Sequence, residues 1–560
     1  MDNWWKNAVG YQVYIKSFYD TNDDGIGDLN GIVQKLDYIK SLGVNFIWIC
    51  PFYDSPMDDN GYDVRDYYKV ASIYGSMSDF AKLVAEAHSR EMKVIIDLVL
   101  NHTSDENQWF INSENSIEPY TDYYIWRDGN NMFGKLEAPN NWQSFFTGSA
   151  WKYSEKRKQY YLKLFSDKMP DLNYENPKVF IEIEKIIAYY SKLGVDGFRL
   201  DAVSHIAKDL SFLSVKNPEK SYKSFSNLPK THEYLKKLYA SFKLNNMVTM
   251  GELGGNPTTQ DIIKYTAEHE MDMTFSFEQV KVFKKNKKIS LRKLASCLKD
   301  KCLIAKNGGY PVLFWLNHDY PRLMSKIKKE KDPKNAQLCL ATLMYLLKGT
   351  PMIYNGEEIG MENFTFTSPA EFRDVNAKMY FENAEDKTKA LNYLSENSRD
   401  NSRTIMQWNA EKFAGFTNGQ PWTFVNENYT TCNVELQQQD SESMLENYKK
   451  IIKTRKSLLE LINVGKYETF SKFGTVGYTI SNKNDSLIVI ANLGKWQITM
   501  PHLKNEILYS NMPSDRKHIK PYQVIVMNRG KVKYDGEVGV SKREMKKINQ
   551  NEIKEKSNKK

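Results

Sequence analysis

Short runs of apolar and β-branched residues recur along the chain, and longer stretches with apolar positions at helical spacing lie between them. This alternation is typical of parallel strands joined by helices. Eight such strand and helix units are the number that closes into a barrel. The pattern predicts strands over residues 9–15, 44–50, 93–100, 195–202, 247–253, 271–277, 311–317 and 350–355.

Two regions depart from this alternation. Roughly ninety residues separate the third and fourth predicted strands, too many for a simple connection, so we expect a subdomain there. From residue 470 the pattern changes to short alternating runs separated by turn residues, which indicates a small β-sandwich. We therefore predict an α/β protein with four parts: a (β/α)8 TIM barrel over 1–102 and 169–469, an inserted subdomain over 103–168, a C-terminal β-sandwich over 470–530 and a basic tail over 531–560.

Composition narrows the class of protein. Of 560 residues 41% are hydrophobic, which is ample for a packed interior, and the net charge is +9. Because the segment 531–560 holds ten basic and five acidic residues, the rest of the chain is nearly balanced and a nucleic-acid partner is not indicated. The five cysteines form no C-x-x-C pair, and no long apolar segment predicts a membrane span or a signal peptide. We expect a cytoplasmic protein without a membrane partner.

Polar residues follow several of the predicted strands, at the end where barrel enzymes place their catalytic groups. They are Asp97 and the pair Asn101-His102 at the third strand, Arg199 and Asp201 at the fourth, Glu252 at the fifth and His318-Asp319 at the seventh. We expect these side chains to meet in one pocket.

The chemistry of these residues suggests glycoside hydrolysis, which needs one carboxylate as nucleophile and a second as acid. Asp201 and Glu252 are the candidates for the two roles. Arg199 lies two residues before Asp201 on the same strand face, where its charge would keep the pKa of Asp201 low.

Several segments together identify a family. DLVLNHT (97–103), GFRLDAV (197–203), MGEL (250–253) and LNHD (316–319) resemble, in order and spacing, the motifs of the α-amylase family, glycoside hydrolase family thirteen. The segments DNGYDVRDY (59–67), FTGSAW (146–151) and SRDNSRT (398–404) are most similar to its oligo-1,6-glucosidase and α-glucosidase branch.

The resemblance implies a retaining, exo-acting α-glucosidase for short oligosaccharides, with α-1,6 linkages favoured and α-1,4 linkages possible. Asp201 would be the nucleophile, Glu252 the general acid/base, and Asp319 the carboxylate that holds the sugar 2- and 3-hydroxyls. The terminal glucosyl unit would contact Asp59, Tyr62, His102, Arg199, His318 and Arg403, with Phe146 and Phe165 as aromatic walls. A monomer or weak homo-oligomer is expected.

A second local pattern alternates oxygen-bearing side chains, which can wrap around a hard cation. In the branch that the chain resembles, this loop holds a structural calcium ion. The ligands implied here are Asp20, Asn22, Asp24, Asp28 and the carbonyl of Ile26.

Departures from the branch's usual pattern leave the linkage open: Met169, Ala202, Tyr320 and Ile405. Trehalose-6-phosphate hydrolase is the main alternative, and it needs cationic groups near the leaving group; the lysine-rich run 281–301 reads instead as a solvated helical face. A sucrose isomerase, an endo-acting amylase with an open cleft, and a non-catalytic binding protein of the same fold are further alternatives. The last is disfavoured because all three candidate carboxylates are present.

Overall fold

The computed structural model describes residues 3–132, 134–500 and 505–528, and its centre is a parallel β-barrel. All eight predicted strands are present, and neighbours along the chain are neighbours in the sheet, with β8 returning to β1. A bridge between Thr274 and Pro311 joins β6 to the segment before β7 and completes the ring. The strands are β1 (Gly10–Val13), β2 (Phe46–Ile49), β3 (Lys93–Val99), β4 (Gly197–Asp201), β5 (Val248–Glu252), β6 (Met273–Phe275), β7 (Val312–Leu313) and β8 (Thr350–Tyr354).

Side-chain alternation along each strand divides the apolar residues between two cores. On β2, Phe46 and Trp48 point into the barrel, whereas Ile47 and Ile49 belong to the larger core between the strands and the helices. Both faces of each strand are therefore buried, which explains why the strands are continuous apolar runs.

The helices surround the barrel, and local sequence signals set their ends. Asn176 caps the helix that begins at Pro177, where proline fits because the first turn needs no backbone N–H partner. The described helices are α1 (Leu29–Ser41), α2 (Met77–Ser89), α3 (Gln108–Glu114), α4 (Pro177–Lys192), α5 (Pro229–Leu244), α6 (Thr259–Ala267), α7 (Leu291–Lys306), α8 (Leu323–Ile327), α9 (Pro333–Tyr345), α10 (Val375–Asn383), α11 (Lys387–Asn397), α12 (Val434–Gln439), α13 (Met444–Ser457) and α14 (Leu459–Val464). None of these described helices is long and apolar enough to cross a membrane.

The connection between β3 and β4 forms its own small structure over the barrel mouth. A three-stranded antiparallel sheet places Gln159–Leu162 between Trp126–Arg127 and Trp151–Ser154, and a hairpin pairs Asn130–Met132 with Lys135–Glu137. Its apolar cluster includes Trp142 and Leu164. This cluster also receives Phe212 and Phe225 from the segment after β4, so the subdomain is attached to the barrel by packing.

The C-terminal region is antiparallel. Five strands pair in the order β9 (Lys466–Lys472), β10 (Thr475–Ser481), β11 (Ser486–Asn492), β15 (Gln523–Asn528) and β13 (Ile507–Ser510). A two-stranded ladder of β12 (Ile498–Thr499) and β14 (His518–Ile519) shares an apolar cluster with that sheet through Ile519. The predicted basic tail 531–560 lies outside the described residues, and the domain boundaries stay a prediction.

Candidate active site

The ends of β4 and β5 place Asp201 and Glu252 beside one guanidinium. Arg199 donates to Asp201 (Nη1–Oδ1 2.5 Å), to Glu252 (Nη2–Oε2 2.6 Å) and to Asp97 on β3 (Nη1–Oδ1 2.7 Å). The side chain of Arg199 is 1% exposed. Because one buried cation contacts three carboxylates from three neighbouring strands, the arrangement fixes the relative positions of Asp201 and Glu252.

Burial and charge act in opposite directions on these carboxyl groups. Burial raises the pKa of Asp201 well above its usual value, Arg199 lowers it, and the charges of Glu252 and Asp97 raise it further. Burial likewise raises the pKa of Asp97 to about 6 against the opposing effect of Arg199. The contact between Arg199 and Asp201 is as predicted. The prediction that the pKa of Asp201 is low was wrong, because desolvation of the carboxyl group outweighs the ion pair.

The third carboxylate, Asp319, follows β7 and is held by two further arginines. Its Oδ1 lies 3.1 Å from Arg403 Nη2 and 3.4 Å from Arg399 Nη1. Burial would raise the pKa of Asp319, but His318 and the two guanidiniums hold it below its usual range. Arg399 also contacts Asp59 (Nη2–Oδ1 2.7 Å) and Asp374 (Nε–Oδ1 2.9 Å).

Tyr62 and His318 form a stacked pair at the base of the site. Their rings lie 5.3 Å apart and nearly parallel, and Tyr62 Oη is 2.8 Å from His318 Nε2. Gln12 Nε2 approaches the other ring nitrogen of His318 at 2.8 Å. Burial lowers the pKa of both His318 and His102 to about 3, so the two imidazoles are neutral near neutral pH.

Most of the predicted site residues line one cavity of about 220 Å³. The predicted residues along its wall are Asp59, Tyr62, His102, Phe146, Phe165, Asp201, Glu252, His318 and Asp319. Arg199 and Arg403 are 1% exposed and lie behind this wall, where they contact its carboxylates. Sequence reasoning missed Phe145, Asn376 and Arg399 as wall residues, whereas Met169 and Ala202, which it had singled out as departures from the branch's pattern, do line the wall. The sequence did contain a signal for Arg399, because this residue lies in the same family-like segment, SRDNSRT, as Arg403.

A second cavity of about 490 Å³ opens beside the first. The two share Phe145, Phe165, Ala202, Glu252 and Asp319, whereas Asp201 lines only the smaller one. Glu252 therefore stands at the junction of the two cavities and Asp201 on one side of it.

The lysines of the run 281–301 are largely exposed, as predicted, and the run is helical from Leu291, but some of these lysines do not belong to a solvated helical face. Lys281 lines the larger cavity, and Lys301 is buried and paired with Glu278 (Nζ–Oε2 3.0 Å), which also lines it. Lys284 and Lys288 lie in a turn before α7 and not on a helix. Because Lys301 neutralises Glu278, Lys281 supplies a positive charge to this cavity.

The predicted calcium loop is a hydrogen-bonded turn. Asp20 accepts the backbone N–H groups of Asn22 (3.0 Å) and Gly25 (2.8 Å), and Asp28 caps α1 by accepting from Gly31 (2.7 Å). Within residues 3–132, 134–500 and 505–528, no group of three or more His, Cys, Asp or Glu is arranged to hold a metal. The donor set nevertheless fits calcium by its chemistry, because it consists of oxygens and Asp24 is exposed. Calcium binding stays a prediction.

Comparison with known proteins gives relatives along nearly the whole chain. The family model for the α-amylase catalytic domain matches residues 12–464. The chain is 39% identical to an oligo-1,6-glucosidase of Bacillus cereus, covering 93% of this chain and 99% of that protein. It is 40% identical to a trehalose-6-phosphate hydrolase of Bacillus subtilis (strain 168), covering 93% and 98%.

Solved structures agree with these matches. The crystal structure of Bacillus licheniformis trehalose-6-phosphate hydrolase superposes with a TM-score of 0.86 at 38% identity and covers 94% of this chain and 99% of that one. An isomaltulose synthase from Klebsiella sp. LX3 gives a TM-score of 0.87 at 34% identity, again covering 94% and 99%. The barrel and the C-terminal antiparallel sheet are thus shared with a trehalose-6-phosphate hydrolase and an isomaltulose synthase.

Proposed function

The chain belongs to the α-amylase family of glycoside hydrolases, and within that family we propose that it is a retaining, exo-acting α-glucosidase for short α-linked oligosaccharides. The observation that carries this proposal is the junction of the two cavities, where Glu252 faces both while Asp201 faces only the smaller. A terminal glucosyl unit in the smaller cavity would place its glycosidic oxygen at this junction.

In the proposed reaction, Asp201 attacks the anomeric carbon while Glu252 gives its proton to the departing oxygen, and a covalent glycosyl-enzyme forms. The leaving group then departs through the larger cavity. Glu252 next takes a proton from a water molecule, which attacks the anomeric carbon and releases Asp201. Arg199 supports both steps because it holds the two carboxylates in one fixed relation.

Exo action is supported by the ion pair between Arg399 and Asp59, which lines the smaller cavity and not the larger one. A longer chain could not pass this point without breaking a largely buried pair. An endo-acting amylase would need an open cleft instead.

The experiment is glucose release from isomaltose, maltose, trehalose 6-phosphate and sucrose, measured in parallel with the purified protein. We expect release from isomaltose and, more slowly, from maltose. The Asp201→Asn variant should lose at least a thousandfold in kcat because it lacks a nucleophile, with the circular-dichroism spectrum unchanged. Activity within about tenfold of wild type in that variant would exclude the mechanism.

Trehalose-6-phosphate hydrolysis is the second candidate, and Lys281 is the observation that favours it. An ammonium group in the cavity that receives the leaving group would attract a phosphate. Glucose release from trehalose 6-phosphate alone in the four-substrate panel would transfer the assignment to this activity.

Two further proposals concern the setting of the enzyme. We propose that the loop of Asp20, Asn22, Asp24 and Asp28, with the Ile26 carbonyl, binds a calcium ion, which when bound would hold the loop rigid. We also propose a cytoplasmic location, which the five unpaired cysteines support because disulfides are uncommon there.

A further inference from the structure

A buried lysine behind the smaller cavity joins three segments that form its wall. Lys208 lies in the loop that follows Asp201, and its side chain is 1% exposed. Its ammonium donates to Asn101 Oδ1 and to the His205 carbonyl, both at 2.8 Å, and lies 2.8 Å from Asp171 Oδ2. The contacts with Asn101 and His205 are hydrogen bonds, and the contact with Asp171 is an ion pair.

Two of these partners also contact His102, a wall residue of the cavity. Asn101 Nδ2 lies 3.3 Å from His102 Nδ1, and the backbone of Asp171 pairs with that of His102. Asp171 is itself fully buried and accepts from the Leu164 N–H at 3.1 Å, next to the wall residue Phe165. Lys208 is therefore linked to His102 by two independent routes.

The orientation of the Asn101 amide follows from this contact. An ammonium group has no acceptor, so Lys208 requires that Asn101 present its oxygen. The amide nitrogen then faces His102, and a donor at that position requires Nδ1 of His102 to be the acceptor. The proton of the neutral ring is consequently on Nε2, a buried atom that has no hydrogen-bond partner among the residues that the structure describes.

We infer that Lys208 is a positioning residue for the smaller cavity: through Asn101 and Asp171 it orients His102 and selects the ring form protonated on Nε2. In that form, the Nε2–H group of His102 can donate a hydrogen bond to a sugar hydroxyl. The inference rests on the proposed function only where it concerns turnover, because the position of the ring proton does not depend on substrate.

The first test needs no activity. Nitrogen chemical shifts of the His102 ring, assigned with a His102→Ala variant, should show protonation on Nε2 in the wild type. In Lys208→Met/Asp171→Asn, Asn101 can rotate, so the ring should become a mixture of both neutral forms. This double variant removes both buried charges and avoids leaving the carboxylate unpaired, which should keep the fold intact. Protonation on Nδ1 in the wild type, or an unchanged spectrum in the double variant, would overturn the inference.

The second test measures kcat/KM on the best substrate of the panel. Lys208→Met/Asp171→Asn should lose between about tenfold and a hundredfold, because small displacements of positioning groups have effects of this size. Lys208→Met/Asp171→Asn combined with His102→Ala should have a kcat/KM no more than about threefold below that of His102→Ala alone, since Lys208 acts through that ring. If the losses in kcat/KM from the double variant and from His102→Ala multiplied in the combined variant, Lys208 would not act through His102.

A matched control is Lys163→Met. Like Lys208, Lys163 is buried, is paired with an aspartate (Asp167 at 2.8 Å) and lines neither cavity. Its substitution should leave kcat/KM within about threefold of wild type, in line with an independent site. A wild type that releases no glucose from any substrate would reject the proposed function, whereas the nitrogen spectra would still decide the role of Lys208.

Discussion

Arg399 pairs with Asp59 at 2.7 Å, and the two residues lie 340 positions apart in the chain. The same guanidinium contacts Asp374 and Asp319, so one side chain connects the loop after β2 with the loop after β7. Arg199 and Arg403 were the arginines predicted to contact the sugar, and both lie behind the cavity wall, where Arg403 holds Asp319. Of the two guanidiniums that hold Asp319, Arg399 lines the smaller cavity and Arg403 does not.

Replacement of Arg399 by lysine should weaken binding of the terminal sugar. A lysine keeps the charge but cannot contact three carboxylates in the geometry of a guanidinium. We expect kcat/KM to fall at least about tenfold, mainly through a higher KM, because the interaction is made in the bound state as well as in the transition state. Steady-state kinetics would measure this. Arg373→Lys, at an exposed arginine nearby, is the control, and equal effects of the two substitutions would contradict the prediction.

Replacement of Arg199 by lysine should shift the acid limb of the kcat/KM profile to higher pH. Burial raises the pKa of Asp201, and Arg199 is the group that lowers it. A lysine keeps the charge but lacks the fork that holds Asp201, so it should lower the pKa of Asp201 less. Because the nucleophile must be ionised, activity is then lost at a higher pH as the solution is acidified. Rates would be measured across the pH range over which both proteins stay folded by fluorescence. An acid limb that stays at the same pH or moves to lower pH would show that Arg199 does not lower the pKa of Asp201.

Replacement of Lys281 by alanine separates the two candidate activities. The ammonium lies in the cavity of the leaving group, so its loss should reduce kcat/KM only for a substrate with a negatively charged leaving group. We expect at least a tenfold loss on trehalose 6-phosphate, if that sugar is cleaved, and less than about threefold on isomaltose. Lys284→Ala, from the same run but outside the cavity, is the control. Equal losses on both substrates would show that Lys281 does not recognise charge.

Calcium removal should lower the melting temperature. A ligand that binds only the folded protein stabilises it by about 4 kcal/mol at a thousandfold excess over its Kd. Thermal unfolding after chelation, and again after calcium is restored, would show a reversible loss of a few degrees, consistent with the usual relation between stability and melting temperature in large domains. Asp24→Ala, at an exposed position, should abolish the response to calcium. Identical curves for chelated and calcium-loaded wild type would reject the site.

The amino-acid sequence by itself determined the eight strands, the inserted subdomain, the C-terminal antiparallel sheet and the strand ends that carry Asp201, Glu252 and Asp319. These features are local, because strand periodicity and the polar residues that close each strand are written in neighbouring positions. The eight observed strands each lie within the predicted ranges. The segments that resemble the family are equally local.

Only the tertiary structure decided which charges meet. Arg399 reaches Asp59, Lys208 reaches Asp171 and Asn101, and Lys281 enters the second cavity through contacts between segments far apart in the chain. Burial also decided the direction of the pKa of Asp201, since desolvation depends on every atom packed around the carboxyl group. A sequence supplies the charged residues, but their partners and their access to water follow from the packed fold.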